Sequence, residues 1–211
     1  IVVDSLAACI SLLCASGEAA HAALARQHAD TLMQALAAPL STSPANPLVS
    51  SHTTPLGNPL VTPHANTLAI PHGAWHTEAR HEAGRFHAEG EAGNWSRGQA
   101  WAMLGLARAA REWGEPYLSH AIAANAYWQA SRPAFPPPNH MLASAPEVSD
   151  LPDPSAALIA ALAQLALADM LPEADASTLR QQAFEAVASL LQSDWFGSDP
   201  ANATGAVFSG C

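Results

Sequence analysis

The run Arg97–Ser131, RGQAWAMLGLARAAREWGEPYLSHAIAANAYWQAS, decides the fold. Met103, Leu106, Ala110 and Trp113 recur at spacings of three, four and three, which puts them on one stripe of a helix. Gly114-Glu115-Pro116 then breaks the pattern, because proline has no N–H with which to continue a helix and glycine tolerates a turn. Apolar and small residues resume at Tyr117, so the stretch predicts a helix, a short turn and a second helix. Two other blocks have the same organisation. One covers about residues 4–38 and is split by Ser16-Gly17; the other covers about 155–193 and is split by Leu171-Pro172. Within the latter, 156–170 is apolar on nearly every side, as in a helix packed on both faces. By contrast 176–192 is one-sided through Leu179, Ala183, Val187 and Leu190. An inner helix paired with an outer one, three times over, predicts an all-α fold of antiparallel helix pairs, the pattern of a helical toroid. No period-2 run long enough for a sheet competes with it.

The stretch from Pro39 to Glu91 differs in kind. It carries seven prolines between Pro39 and Pro71, with many Ser, Thr, Asn and His. Fixed φ angles and missing donors predict a Pro/His-rich insertion with little regular structure at about 39–91, inside one domain spanning 1–211. Apolar residues make up 49% of the chain and charged residues 12%, which excludes a highly charged disordered chain. The apolar run Ala156–Ala168 is shorter than the roughly 20 residues of a membrane span, so no membrane partner is expected. The net charge of −10, with only scattered Arg as cations, argues against nucleic acid. Cys9 and Cys14 share one helical block and Cys211 is the last residue, so reduced thiols and a cytoplasmic setting are expected. No signal peptide is visible, and the chain reads as a piece of a longer protein.

Chemistry concentrates in Asn94-Trp95-Ser96-Arg97-Gly98-Gln99-Ala100-Trp101, where a loop meets a helix. A guanidinium can grip a carboxylate with two parallel hydrogen bonds, Trp95 and Trp101 can stack on the C–H face of a sugar, and Gln99 can bond hydroxyls. The plainer alternative is that the indoles pack in the core while Arg97 meets a helix-end carbonyl. Asp4, just before a helix beginning at Ser5, is either an N-cap or a catalytic acid. Ile1, Val2, Val3 and Leu6 around its carboxyl would disfavour the ionised form, as a general acid needs.

Four segments, in order, resemble the unsaturated glucuronyl hydrolases (glycoside hydrolase family 88). Trp95 to Trp101 is similar to the family's Trp-Ser/Ala-Arg-Gly-Gln-Ala-Trp. Ile1-Val2-Val3-Asp4-Ser5-Leu6 resembles its Ile-Ile-Asp-Ser/Asn-Leu/Met, and His28-Ala29-Asp30-Thr31 its His-Ala-x-Thr helix. Asp153-Pro154-Ser155-Ala156-Ala157 resembles Asp-Ser-Ser-Ala-Ala. The resemblance covers about 1–38 and 94–170, and more weakly the tail Gly205–Cys211. It implies an (α/α)6 toroid, of which this chain supplies about three of six pairs, with an N-terminal half and a second aspartate lying upstream. It further implies that Asp4 is catalytic and that Trp95, Arg97, Gln99, Trp101, Asp153 and Ser155 bind substrate. The implied reaction protonates C4 of a 4,5-unsaturated uronic acid, adds water at C5 and releases the sugar beyond it, on oligosaccharides left by polysaccharide lyases. No cofactor is implied. The family's His-Gln-Gly-Tyr approach to the Trp-Arg motif is altered here, around Phe86-His87-Ala88-Glu89. Two other readings stand beside this one: an unsaturated rhamnogalacturonyl hydrolase, and a non-catalytic helical fragment or degenerate paralogue.

Other signals carry less. His72, His76, His81 and His87 fit no zinc spacing, and His81-Glu82-Ala83-Gly84-Arg85 lacks the second histidine of His-Glu-x-x-His, so no metal is expected. Asn94-Trp95-Ser96 and Asn202-Ala203-Thr204 match the glycosylation sequon without a visible secretion signal. Arg108 and Arg111 are expected to be solvated or paired with acids.

Overall fold

Each helix pair turns at a glycine or proline between its two members. The computed structural model describes residues 3–36, 67–71, 73–76, 86–89, 92–131, 152–193, 196–197 and 207–208. Among these, α1 (Ser5–Ala15) and α2 (Ala19–Leu36) turn at Gly17, and α3 (Ser96–Trp113) and α4 (Tyr117–Ser131) turn at Gly114. The third pair, α5 (Pro154–Ala168) and α6 (Glu173–Leu191), turns at Leu171-Pro172. Gly114 adopts φ 70° while its N–H reaches the Ala110 carbonyl at 2.8 Å, closing the last turn of α3. Pro154 opens α5 in the first helical turn, where a missing N–H costs nothing, and Glu173 and Asp175 suit the positive end of α6.

The pairs stand side by side as expected of part of a helical toroid. Helices α1, α3 and α5 form an inner row, with α3 packed between the other two, and α2, α4 and α6 each back their own partner. Leu6 lies against Gly105 and Cys14 within electrostatic reach of Glu112, so α1 and α3 run the same way. Met103, Leu106 and Ala110 of the expected stripe are buried, and Trp113 packs against the core. Only Arg97, Trp101, Arg108, Arg111, Glu112 and Trp113 of α3 escape burial, because neighbours cover it from both sides. The outer layer adds Trp128 and Tyr117, both buried; the Tyr117 hydroxyl donates to the Asp30 carboxylate and so ties α4 to α2. Burial, and then that bond, push the Tyr117 phenol up to about 12.

Within the insertion expected at about 39–91, β1 (Gly73–His76) and β2 (Phe86–Glu89) pair antiparallel, with Gly73 opposite Glu89 and His76 opposite Phe86, and most of the remainder lies outside the described residues. A smaller ribbon joins β3 (Phe196–Gly197) to β4 (Val207–Phe208). Strands of two to four residues are too short to show an alternating pattern among turn residues. The segment 68–71 also lies in place, with Leu68 and Ile70 buried and the Leu68 N–H on the Ala123 carbonyl at 3.0 Å.

The ends of the row are bare. Leu12 of α1 is 74% exposed and Leu162 of α5 is 57% exposed, and the other large exposed apolar side chains described, Leu24, Phe184 and Leu191, lie on α2 and α6. None lies on the central pair. Cys9 and Cys14 are free thiols, and among the described residues no helix is long and apolar enough to cross a membrane.

Gly105 sets how closely α1 approaches α3, since a Cβ there would lie 2.7 Å from Leu6 Cδ2 and 2.9 Å from Leu6 Cβ. Alanine would gain about 1 kcal/mol of helix propensity, but overpacking costs about 1–3 kcal/mol. Gly105→Ala is therefore expected to lower stability by about 1 kcal/mol in urea unfolding, whereas a gain would show that α1 yields freely.

Candidate functional site

The loop-to-helix motif is shaped by one close approach. A Cβ on Gly98 would fall 2.3 Å from Trp95 Cε3, so only glycine lets the indole lie against the first turn of α3. Trp95 itself is the N-cap of α3, in extended conformation and without a side-chain cap. Over its ring sits the Arg97 guanidinium, with Cζ 5.7 Å from the centroid, within range of a cation–π attraction. Arg97 Nε lies 3.4 Å from Asp153 Oδ2, and the Arg97 side chain is 32% exposed while that of Asp153 is 2% exposed.

Asp153 has two roles. Its Oδ1 accepts the Ala156 N–H at 3.0 Å and caps α5, joining Pro154 in setting where that helix starts. Its Oδ2 has a charge partner in Arg97 but no hydrogen-bond donor, because the 3.4 Å approach lacks hydrogen-bond alignment. Ser96 Oγ, at the start of α3, is likewise buried without a partner. Arg97 thus meets a carboxylate of its own protein, not the helix-end carbonyl of the plainer reading. The starts of α3 and α5 come together through this pair.

Gln99 is placed otherwise than a sugar ligand would be. It is 0% exposed; Oε1 accepts from the Ile70 N–H at 2.9 Å, and Nε2 donates to the carbonyls of Leu68 at 3.0 Å and Ala124 at 3.1 Å. Both amide hydrogens are used, so the expected bonds to sugar hydroxyls are replaced by a clamp that seats 68–70 against α3 and α4. Gly93, just before the motif, donates to the Ile70 carbonyl at 2.7 Å and accepts from the Tyr127 hydroxyl at 3.1 Å. Trp101 is half-buried against the core, and half-buried Ser155 in the first turn of α5 is engaged in an interaction of its own.

Asp4 stands apart from this group. It occupies the N-cap position of α1 without a side-chain cap bond, and its side chain is exposed. Val3 and Leu6 turn into the core, where with Leu32, Ile70 and Leu106 they line an apolar cavity of ≈ 20 Å³. The apolar cover expected around the carboxylate is therefore not supplied by Val3 or Leu6, and Ile1 and Val2 lie outside the described residues. No hydrogen bond or ion pair joins Asp4 to Arg97 or Asp153 among the described residues. Next to Asp4, Ser5 Oγ lies 3.2 Å from His28 Nε2 on α2, and burial lowers the His28 pKa from 6.5. The histidine of the His-Ala-x-Thr match thus holds the start of α1, a pairing across 23 residues that no local pattern signals.

Among the described residues the remaining histidines gather no metal site. His76 and His87 fall in β1 and β2, while His72 and His81 lie outside the described residues. Among the described residues no three His, Cys, Asp or Glu side chains are grouped to hold a metal ion. Arg111 pairs with Asp169 at 3.2 Å on the surface, and Asn202 lies outside the described residues.

The fold is similar to that of solved helical-toroid enzymes. Against a structure described as an unsaturated glucuronyl hydrolase specific for heparin, the TM-score is 0.67 at 17% identity, over 96% of this chain and 49% of that one. Against a UGL variant with dGlcA-Glc-Rha-Glc, the TM-score is 0.63 at 19% identity, over 98% of this chain and 50% of that one. The chain spans about half the length of these solved chains. No family model matches it, and no curated protein does.

Two measurements test the placements of Gln99 and His28. Gln99→Leu would leave buried backbone groups without partners, at about 1–3 kcal/mol each, so it should cost about 3 kcal/mol of stability. A near-neutral Gln99→Leu would return the residue to ligand duty. His28 resists protonation in the folded state, so its contribution is present above its unfolded pKa of 6.5 and is lost as pH falls through the lowered folded value. Between about pH 7.5 and about pH 5 the melting temperature of the parent should therefore fall further than that of His28→Gln. Equal falls would contradict a half-buried His28 that resists protonation.

Proposed function

We propose that this chain is the Arg-bearing part of a glycoside hydrolase that removes a 4,5-unsaturated uronic acid from lyase-generated oligosaccharides. The single observation that carries the reading is Arg97, one-third exposed at the start of an inner helix, stacked over Trp95 and set beside buried Asp153. A chain of net charge −10 repels an anionic sugar at long range, so a uronate needs a local, partly desolvated cation. Arg97 offers that charge together with aligned donors for the planar carboxylate, and Trp95 offers an aromatic face. The fold likeness and the order of the four resembling segments support the same reading.

In this proposal Asp4 is the acid. Its carboxyl proton goes to C4 of the C4=C5 double bond, and positive charge develops at C5 and the ring oxygen. Water adds at C5 and yields its proton to the Asp4 carboxylate, and the resulting hemiketal opens to release the next sugar. The two-carboxylate spacing rule of ordinary glycosidases does not apply to such a hydration.

The reading also requires more protein than is described here. Bare apolar residues at both ends of the inner row, and a span of half the solved chains, support three further helix pairs closing the ring. Those pairs would cover Leu12 and Leu162 and exclude water from Asp4. A second reading, a non-catalytic helical segment that binds sugar, is favoured by the exposure of Asp4.

Residues 1–211 should bind an unsaturated uronic acid disaccharide in calorimetry but turn it over poorly, as read from the ultraviolet absorbance of the double bond. Arg97→Lys keeps the charge and loses the fork, and should weaken binding about tenfold. Equal binding by Arg97→Lys would remove Arg97 from the carboxylate. Binding without turnover, even with the rest of the ring supplied, would decide for the non-catalytic reading.

A further inference from the structure

We propose that Asp153 is a positioning residue for Arg97, setting which edge of the guanidinium meets an anion; the proposal rests on Arg97 being the carboxylate-binding group. An N-cap needs one acceptor, and a neutral Asn or Ser would serve as well. Asp153 instead carries a charged group that is 2% exposed, and burying a carboxylate is costly unless a cation compensates it. Among the described residues that cation is Arg97, whose Nε faces Oδ2 at 3.4 Å. The other oxygen is committed to the Ala156 N–H at 3.0 Å, so the carboxylate cannot swing away without uncapping α5.

The consequence lies in the shape of the guanidinium. It has two edges able to meet a carboxylate in parallel, one formed by Nε with an Nη and one formed by both Nη atoms. Asp153 lies on the Nε side, Trp95 covers one face, and the side chain remains 32% exposed. The end-on Nη pair is left for the ligand, and one docking direction is selected. Lysine at position 97 would have no edges to select, so the effect of Asp153 on binding acts through the fork of arginine.

Raw affinity does not diagnose this role. Removing the Asp153 charge relieves repulsion of any anion and also frees the arginine, and the two effects oppose each other. Coupling between the two positions does diagnose it. Asp153→Asn keeps the cap, because Asn caps as well as Asp, and removes the charge. Arg97→Lys should weaken binding of the unsaturated disaccharide about tenfold in the parent but less than about threefold in the Asp153→Asn background. The Arg97 Nε–H resonance, identified by its loss in Arg97→Lys, should shift in Asp153→Asn as the neighbouring charge is removed, with little change in melting temperature. Asp153→Ala, which also removes the cap, should lower the melting temperature. An equal cost of Arg97→Lys in both backgrounds, or an unchanged Nε–H signal in Asp153→Asn, overturns the proposal. If the parent does not bind the disaccharide, the functional reading falls, and the Nε–H comparison alone decides whether Asp153 positions Arg97.

Discussion

The structure depends on the burial of α3 between α1 and α5. A helix covered on two sides must be thin where neighbours approach, and α3 meets that need with alanines throughout and with Gly105 against Leu6. The side chains that escape burial, among them Arg97, Trp101, Arg108 and Arg111, lie along the one face left between those neighbours. Arg97 sits at the start and Arg111 at the far end, each meeting an acid associated with α5. The concentration of candidate chemistry at one end of the row follows from this packing.

The same constraint explains why Gln99 faces inward. Two residues past Arg97 the helix is already enclosed, and an amide enclosed there must satisfy both hydrogens and its oxygen within the protein. The backbone of 68–70 supplies most of what it needs, so a segment far away in sequence becomes part of the wall behind the motif. The motif residues consequently divide by exposure into the partly open Asn94, Trp95, Arg97 and Trp101 and the buried Ser96, Gly98, Gln99 and Ala100.

Open edges give the inner row its second property. Helix α5 is apolar almost all round and packs chiefly against α3 and α6, leaving Leu162 in water. Helix α1 leaves Leu12 bare in the same way. The central helix has a neighbour on each side, and the outer two each leave a leucine, Leu12 or Leu162, exposed among the described residues.

The helix pairs, their turns at Gly17, Gly114 and Pro172, and the Trp-Arg motif at the start of a helix were legible in the residues alone. They rest on local causes: missing donors, positive φ and a 3.6-residue period all act within a few positions. The burial of α3 on both sides, the capture of Arg97 by Asp153, the clamp of Gln99 on 68–70 and the bond from Ser5 to His28 were not legible. Each joins positions 23 or more residues apart, and whether an Arg or a Gln faces water or a partner depends on what the fold brings opposite it. Sequence by itself determined the helices and the kinds of group at the site; tertiary structure decided which groups stay open to a ligand, because burial and hydrogen-bond satisfaction are set by neighbours distant along the chain.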